Sequence, residues 1–300
     1  WYAHRGLHDA GSGLTPEYAA HSGEYVALAR RCALRAGYGT ADFSGSIAPE
    51  NSLAAFAAAC EAGFGIELDV QLTKDGRVVV VHDDNLLRVA GDPRKIADLT
   101  YEELSRIPLF PAPAKPGDAE AAPVADPVAA AQFAPQGYYQ HVPLFVDVLR
   151  VIAGRVPVIV EYKFTDNAAW GERADELMEK GDQLLQAYDG PYVIESFHPG
   201  AVNWYKEHRP GVCRGQLAEP ASLTGTGAKE WLAGLLAFDW ISRPDFVAFD
   251  WHGGPSPQLR AARWVGAIPG SWAGRSAGEI AECDQDFDRP IFESVGPGSK

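Results

Sequence analysis

Three features of the sequence predict an α/β fold, namely a TIM (β/α)8 barrel with an inserted segment after its first strand and a β-hairpin arm. Short apolar segments recur along the 300 residues, helix-like stretches separate most of them, and one pair of segments is joined too closely for a parallel crossover. A chain of this length, of which 46% is hydrophobic, suits one large barrel domain over residues 1–300.

The alternation of strands and helices is the main evidence for a parallel sheet. The clearest helix is Ser52–Ala62, which is Ala-rich, follows Pro49-Glu50-Asn51 and is closed by Gly63. The predicted strands span 2–5, 65–70, 78–82, 157–162, 192–197, 213–217, 246–250, 265–269 and 289–293. The predicted helices span 24–35, 52–62, 101–107, 144–153, 168–187, 200–208, 228–237 and 276–283.

The second and third strands break this alternation. Only a short link containing Asp75-Gly76 joins segments 65–70 and 78–82, and Asp-Gly is a strong signal for a tight turn. We therefore predict a hairpin that folds His82 back beside Asp69. Without the hairpin arm, eight strands remain, the number in a TIM barrel.

Two stretches interrupt the regular pattern. Residues 8–48 separate the first strand from the first barrel helix by more than a usual loop, and we expect this insertion over the face where barrel enzymes bind substrate. Residues 111–137 are rich in Ala and Pro and predict an irregular surface excursion.

The formal net charge of −14, with no basic stretch, argues against a nucleic-acid partner. No run of 18 apolar residues is present, so no segment is expected to span a membrane. A cytoplasmic location is expected. The chain begins at Trp1 without an initiator Met, so an upstream signal or anchor, and contact with a membrane, stay open.

Acidic residues at strand ends indicate a metal site. Glu67 and Asp69 are two positions apart on one strand, so their carboxylates point to the same side, and Glu161 ends another strand. Carboxylate oxygens are suitable ligands for Mg²⁺ or Ca²⁺. For Glu67 and Asp69 alone, an amphipathic strand with one carboxylate in solvent is the alternative.

Basic residues lie beside these carboxylates in the predicted fold. His4 and His82 end strands and could act as acid and base, although a structural role is the alternative for either alone. Arg5 and Lys163 supply positive charge for an anion such as phosphate. His8 lies outside the strand-end pattern and is expected in a loop or at the surface.

Several short motifs occur together in this order: His4-Arg5-Gly6, Pro49-Glu50-Asn51-Ser52, Glu67-Leu68-Asp69-Val70, Thr73-x-Asp75-Gly76, His82-Asp83, Pro143-Leu144, Glu161-Tyr162-Lys163, Ser196-Phe197 and Trp272. In combination they resemble the signature of the glycerophosphodiester phosphodiesterase family, whose members are TIM barrels related to PI-PLC-like phosphodiesterases. The chain departs from that signature at the long 8–48 insertion, at Tyr162 and at 267–272. The first and last of these departures bear on the head group.

The resemblance implies a hydrolase that binds one divalent metal, Mg²⁺ or Ca²⁺, and cleaves glycerophosphodiesters to glycerol 3-phosphate and an alcohol. It implies the following roles: His4 and His82 as the acid/base pair, Glu67, Asp69 and Glu161 as metal ligands with Glu50 as a fourth, Arg5 and Lys163 as phosphate ligands, and Phe197 and Trp272 as the wall of the glycerol side. Two alternatives are a lysophospholipid or sphingolipid head-group phosphodiesterase of the same barrel family and a barrel that binds phosphoglycerol without turnover.

Overall fold

The computed structural model describes residues 1–15, 22–111, 140–164, 170–219, 242–253 and 256–296. Its strands are β1 (Tyr2–Ala3), β2 (Gly65–Leu72), β3 (Val78–Val80), β4 (Asn85–Leu86), β5 (Asp92–Lys95), β6 (Val158–Tyr162), β7 (Tyr192–Ser196), β8 (Arg214–Ala218), β9 (Phe246–Asp250), β10 (Ile268–Gly274) and β11 (Arg289–Phe292). Its α-helices are α1 (Gly23–Arg35), α2 (Leu53–Ala62), α3 (Leu87–Ala90), α4 (Tyr101–Leu104), α5 (Phe145–Ile152), α6 (Glu172–Gln186), α7 (Pro199–His208), α8 (Pro257–Trp264) and α9 (Ala277–Asp286). The predicted helix 228–237 and nearly all of the excursion 111–137 lie outside the described residues.

Eight parallel strands close into the predicted barrel. Their order around it is β1-β11-β10-β9-β8-β7-β6-β2, and β1 also pairs with β2, which completes the circle. The strand interiors are mostly buried because helices cover the outside and side chains fill the inside. Among the described residues, no helix is long and apolar enough to cross a membrane.

The β2–β3 hairpin is confirmed. The two strands pair antiparallel from Val70 with Val80 to Leu72 with Val78, and Gly76 occupies the turn with φ +69°. The Val81 amide donates to the Asp69 carbonyl at 2.9 Å. The hairpin arm therefore brings His82 beside the acidic strand, as the Asp-Gly turn predicted.

The strand observed as β10 was predicted too early in the chain. The sequence analysis placed it at 265–269, whereas β10 runs from Ile268 to Gly274. The apolar residues just before it end helix α8, which was not predicted, and Gly266 follows that helix with φ +96°. The strand itself consists largely of small residues, so an apolar pattern could not locate it.

A small sheet that was not predicted follows the hairpin. Strands β4 and β5 pair antiparallel around α3, and the α3 helix ends at Gly91 with φ +73°. Leu86, Val89 and Ile96 from this unit pack in a separate apolar cluster with the end of the hairpin arm. The unit presents Arg88, on its short helix, to the barrel mouth.

The 8–48 insertion contributes to the main core. Its helix α1 packs on α2 and buries Tyr25, Ala29 and Cys32, and Ile47 from the end of the insertion joins the same cluster. At its start, Asp9 accepts hydrogen bonds from the Ile47 and Ala48 amides, both at 3.0 Å. These contacts fix both ends of the insertion beside the ends of β1 and α2.

Candidate active site

Three acidic side chains converge inside the barrel mouth. Glu67 and Asp69 project from β2 to the same side, and Glu161 is the register partner of Asp69 on β6. One carboxylate oxygen from each lies within 4.8 Å of the others, and all three residues are buried. The structure thus brings together the three metal ligands suggested by the sequence.

Two cations border this group. Lys163 Nζ lies 2.9 Å from Glu161 Oε1 and 3.7 Å from Asp69 Oδ1. On the other side, Arg5 Nε lies 3.6 Å from Asp69 Oδ2. Fixed positive charge next to a cluster of carboxylates suits an anion held beside a cation.

The loop after β1 is locked to these carboxylates by its backbone. Arg5 adopts φ +55°, a conformation that costs free energy in any residue other than Gly, and its amide donates to Glu67 Oε2 at 2.9 Å. Gly6 follows with φ +82°, where a Cβ would lie 3.0 Å from the backbone of Ala55. Asn51 adopts φ +53°, and its side-chain amide donates to Asp69 Oδ2 at 2.8 Å. The strained backbone aims these donors at the acidic cluster.

The carboxylates differ in their affinity for a proton. Burial, together with the charges of Asp69 and Glu161, raises the pKa of Glu67 well above its usual range. Burial would also raise the pKa of Asp69, but the charges of His82, Lys163 and Arg5 outweigh burial and lower that pKa. Asp69 is therefore the carboxylate of this group that the surrounding charges hold ionised.

His4 is buried against a carboxylate that the sequence analysis did not select. Its Nδ1 lies 3.2 Å from Glu293 Oε2, and its Nε2 lies 3.9 Å from Glu67 Oε2. Burial lowers the pKa of His4 even though the Glu293 charge opposes that shift. The imidazole is therefore favoured in its neutral form, which can accept a proton.

Glu293, just after β11, is a hub of hydrogen bonds. Its Oε1 accepts from Ser12 Oγ at 2.8 Å and from the Gly13 amide at 2.9 Å, and lies 3.1 Å from His8 Nε2. Its Oε2 accepts from Arg275 Nε at 2.9 Å. Burial would raise the pKa of Glu293, but the charges and hydrogen bonds of His4 and His8 lower it well below its usual range. His8 lies in a loop, as expected, but that loop is fully buried at His8 rather than at the surface.

His82 stands in a more open setting. Its side chain is 31% exposed, and its Nδ1 lies 2.6 Å from Asp83 Oδ1. Arg88 Nε donates to Asp83 Oδ2 at 2.8 Å and so anchors the carboxylate. Asp83 was part of the His82-Asp83 motif, whereas nothing in the sequence analysis indicated Arg88.

Glu50 is not part of the group of three carboxylates. Its Oε1 accepts from Arg5 at 2.9 Å and from Arg88 at 2.6 Å, and its Oε2 accepts from the Ser12 amide at 2.6 Å. Burial would raise the pKa of Glu50, but the charges of Arg5 and Arg88 lower it to about 2. In this structure Glu50 holds two arginines and the start of the insertion, and its expected role as a fourth metal ligand stays a prediction.

The two aromatic residues expected at the mouth lie together. Phe197 and Trp272 meet edge to face with ring centroids 5.8 Å apart, and Lys163 Nζ lies 5.7 Å from the Phe197 centroid. Trp272 Nε1 is buried without a hydrogen-bond partner among the described residues. By contrast, Tyr162 points away from the site, and its hydroxyl lies 2.8 Å from that of Tyr205.

Glu195 is a further carboxylate that the sequence analysis missed. It is the register partner of Glu161 on the next strand, β7, and is 1% exposed. Burial and the charges of Glu161 and Asp69 raise its pKa well above the usual range. Its sequence signal was an acidic residue within an apolar strand, the same signal that singled out Glu67.

Comparisons with known proteins agree with this geometry. A model of the glycerophosphoryl diester phosphodiesterase family matches residues 43–232. A glycerophosphodiester phosphodiesterase of Bacillus altitudinis is 30% identical over 170 residues, which are 55% of this chain and 59% of that protein. One of Caldanaerobacter subterraneus subsp. tengcongensis is 50% identical over 60 residues, which are 20% of this chain and 25% of that protein. The matched region thus spans about three-fifths of the first relative and a quarter of the second.

Solved structures share the fold over nearly the whole chain. A phosphodiesterase of Oleispira antarctica, solved in complex with the product sn-glycerol-3-phosphate, superposes with a TM-score of 0.62. The two are 17% identical, and the match covers 98% of this chain and 92% of that one. The family match covers well over half of the sequence, from the end of the insertion past β8, and includes the three clustered carboxylates. The chain therefore belongs to the glycerophosphoryl diester phosphodiesterase family.

Proposed function

We propose that this chain is a metal-dependent phosphodiesterase that cleaves glycerophosphodiesters to glycerol 3-phosphate and an alcohol. The observation that carries the proposal is the group of three buried carboxylates, Glu67, Asp69 and Glu161, within 4.8 Å of one another. His4 and Lys163 border that group, and the hairpin arm brings His82 to it. Family membership and the fold shared with a glycerol-3-phosphate complex support the same assignment.

The donor set fits a hard divalent cation. All three clustered groups offer carboxylate oxygens, the ligands that Mg²⁺ and Ca²⁺ prefer, and Asp69 Oδ1 has no hydrogen-bond partner among the described residues. Buried like charges repel one another, and a cation offsets that repulsion. We therefore infer that Glu67, Asp69 and Glu161 hold one Mg²⁺ or Ca²⁺. When bound, the ion would offset charge on a non-bridging phosphate oxygen.

The side chains can divide the remaining work. Arg5 and Lys163 would hold the phosphate, while the Phe197–Trp272 pair would wall the glycerol side. A neutral His4 would remove the proton from the glycerol 2-hydroxyl, whose oxygen attacks phosphorus. His82 would protonate the alcohol oxygen as the phosphorus–oxygen bond breaks, and water would then open the cyclic phosphate with the two histidines in reversed roles.

Product analysis under controlled cation supply tests the proposal. Chelated protein is incubated with glycerophosphocholine, glycerophosphoglycerol or lysophosphatidylcholine, with and without added Mg²⁺, Ca²⁺ or Mn²⁺, and glycerol 3-phosphate and choline are assayed. We expect glycerol 3-phosphate from the glycerophosphodiesters only when a cation is present. Glu67→Gln should remove most of this activity, while the exposed control Glu282→Gln should retain it.

Three outcomes would contradict parts of the proposal. Full activity after thorough chelation would rule out the metal. Faster cleavage of lysophosphatidylcholine than of glycerophosphocholine would favour the lysophospholipid alternative. Saturable binding of glycerophosphocholine without any product would favour a binding barrel without turnover.

A further inference from the structure

Glu195 lies in the same layer of the barrel as two of the proposed metal ligands. Asp69 on β2 is the register partner of Glu161 on β6, and Glu161 is in turn the partner of Glu195 on β7. Residues in register on neighbouring parallel strands point to the same side of the sheet. The Glu195 side chain therefore enters the barrel interior beside Glu161.

No described residue forms an ion pair with this buried carboxylate, and the charge of Lys163 acts on it only from a distance, since Lys163 contacts Glu161 instead. Glu195 is 1% exposed, and its Oε2 has no hydrogen-bond partner among the described residues. The register partner of Glu195 on β8 is Gly215, which has no side chain, and the next residue, Gln216, donates to the carbonyls of Ser196 and Phe197 instead. A buried carboxylate oxygen without a partner costs free energy, and a ligand at Glu195 Oε2 would remove that cost.

The charges around the cluster point to the kind of ligand. With Glu195 included, four carboxylates face two side-chain cations, Arg5 and Lys163. Arg5 is also shared with Glu50, so the group lacks at least two positive charges when all four carboxylates are ionised and His82 is neutral. A single divalent cation would supply both.

We propose that Glu195 is a fourth carboxylate of the cation site and strengthens the binding of the divalent cation. The inference rests on the proposed function, since it concerns the same ion. The oxygens of Glu195 are not among those that lie within 4.8 Å of one another. We therefore expect Glu195 to reach the ion through a bridging water, as an outer carboxylate does in other hard-cation sites.

Cation binding to the full chain, measured without substrate, tests this role. Isothermal titration calorimetry with Ca²⁺ and with Mg²⁺ gives the dissociation constants of the wild type and of Glu195→Gln. This variant keeps the shape of the side chain and removes its charge. We expect the dissociation constant to rise about tenfold to a hundredfold, the usual effect of losing an outer-shell partner. Asp182→Asn is the matched control, because Asp182 is also a buried acid with an unpartnered oxygen but lies on α6, outside the barrel. Its affinity should stay within about twofold of the wild type.

Each result separates this inference from the proposed function. An unchanged dissociation constant in a folded Glu195→Gln protein, with the wild type binding normally, would overturn the role of Glu195 alone. If Glu195→Gln does not fold, Glu195→Ala replaces it, and wild-type affinity in that uncharged variant would overturn the role equally. Weak binding by Glu195→Gln in a protein that cleaves no phosphodiester would uphold Glu195 and contradict the proposed function. A wild type that binds neither cation would overturn both.

Discussion

His4 and His82 occupy opposite kinds of surroundings in one site. His4 is buried at the end of β1, and the carboxylate beside it, Glu293, is held by donors from the start of the insertion and from Arg275. His82 is 31% exposed at the end of the hairpin arm, and its carboxylate, Asp83, is anchored by Arg88. Both imidazoles thus have an acidic partner, but one pair is built into the barrel and the other is carried by a short appended unit.

Under the proposed function, this difference implies separate roles for the two histidines. A buried, neutral imidazole in a fixed position suits proton abstraction from a bound hydroxyl, which requires accurate geometry. A more open imidazole suits protonation of a leaving alcohol that must depart toward solvent. The comparison also predicts that damage near His4 affects both folding and catalysis, whereas damage near His82 affects mainly catalysis.

The largest expected effect is the loss of either histidine. His4→Ala and His82→Ala should each lower kcat by ~10²–10⁴-fold, the usual contribution of general acid–base catalysis. The double variant should fall well short of the product of the two losses, because residues that act as a unit are not additive. Steady-state kinetics on glycerophosphocholine measures both, with His208→Ala, exposed on α7, as the control. A single variant with near-wild-type kcat would make that histidine structural.

An intermediate effect is expected at the carboxylate behind His4. The Glu293 charge raises the pKa of His4, so Glu293→Gln should lower that pKa further and make His4 a weaker base. We expect kcat to fall at least about tenfold while KM changes little. With a still lower pKa in His4, the base is free at lower pH, so the acid limb of the pH–rate profile should move to lower pH. Asp83→Asn, the equivalent change beside His82, should leave that limb in place.

The pH–rate profile distinguishes two roles of Glu293, the positioning of His4 and the stabilisation of the fold. A purely structural Glu293 would reduce the folded fraction, seen by circular dichroism, without moving the acid limb. Glu293→Asp keeps the charge and should recover part of kcat. A Glu293→Gln enzyme with wild-type kcat and an unshifted limb would show that Glu293 does not act through His4.

The smallest effect is expected at Arg88, which anchors Asp83 beside the more exposed His82. Arg88→Ala frees Asp83 and removes two of the hydrogen bonds to Glu50, so kcat should fall by less than about tenfold. The Glu50 pKa of about 2 lies below its ordinary 4.5, so its ionised form stabilises the wild type fully above pH 4.5, and that stability is lost as the pH falls toward 2. Arg88→Ala should raise the pKa of Glu50. Between pH 4.5 and 2, Tm should therefore decrease less in Arg88→Ala than in the wild type.

Arg94→Ala is the control for this experiment, because Arg94 pairs only with the nearby Asp92 in the described contacts of the same small sheet. Thermal melts of both variants from pH 7 to pH 2 supply the measurement. If Tm decreased equally with pH in Arg88→Ala and in the wild type, Arg88 would not determine the stability at acid pH through Glu50.

Local patterns in the sequence were enough to predict the barrel and which residues come together at its mouth. Alternation of short apolar strands with helices predicted the eight parallel strands, because that rhythm permits few other folds. The Asp75-Gly76 turn predicted the hairpin and the placement of His82, since a tight turn acts over a few residues. Spacing along β2 predicted that Glu67 and Asp69 share a face.

Tertiary structure decided which partners each of these groups receives. Glu293 lies 285 residues from His8 in the chain and acquires its role only because β11 closes the barrel next to β1. Glu195 lies beside Glu161 because the pairing of β7 with β6 places the two residues in register. Glu50 accepts a hydrogen bond from Arg88 because the small sheet, which was not predicted, lies next to it. Charge interactions act through space over a few ångströms, so no pattern along the sequence specifies them until the fold has set the distances.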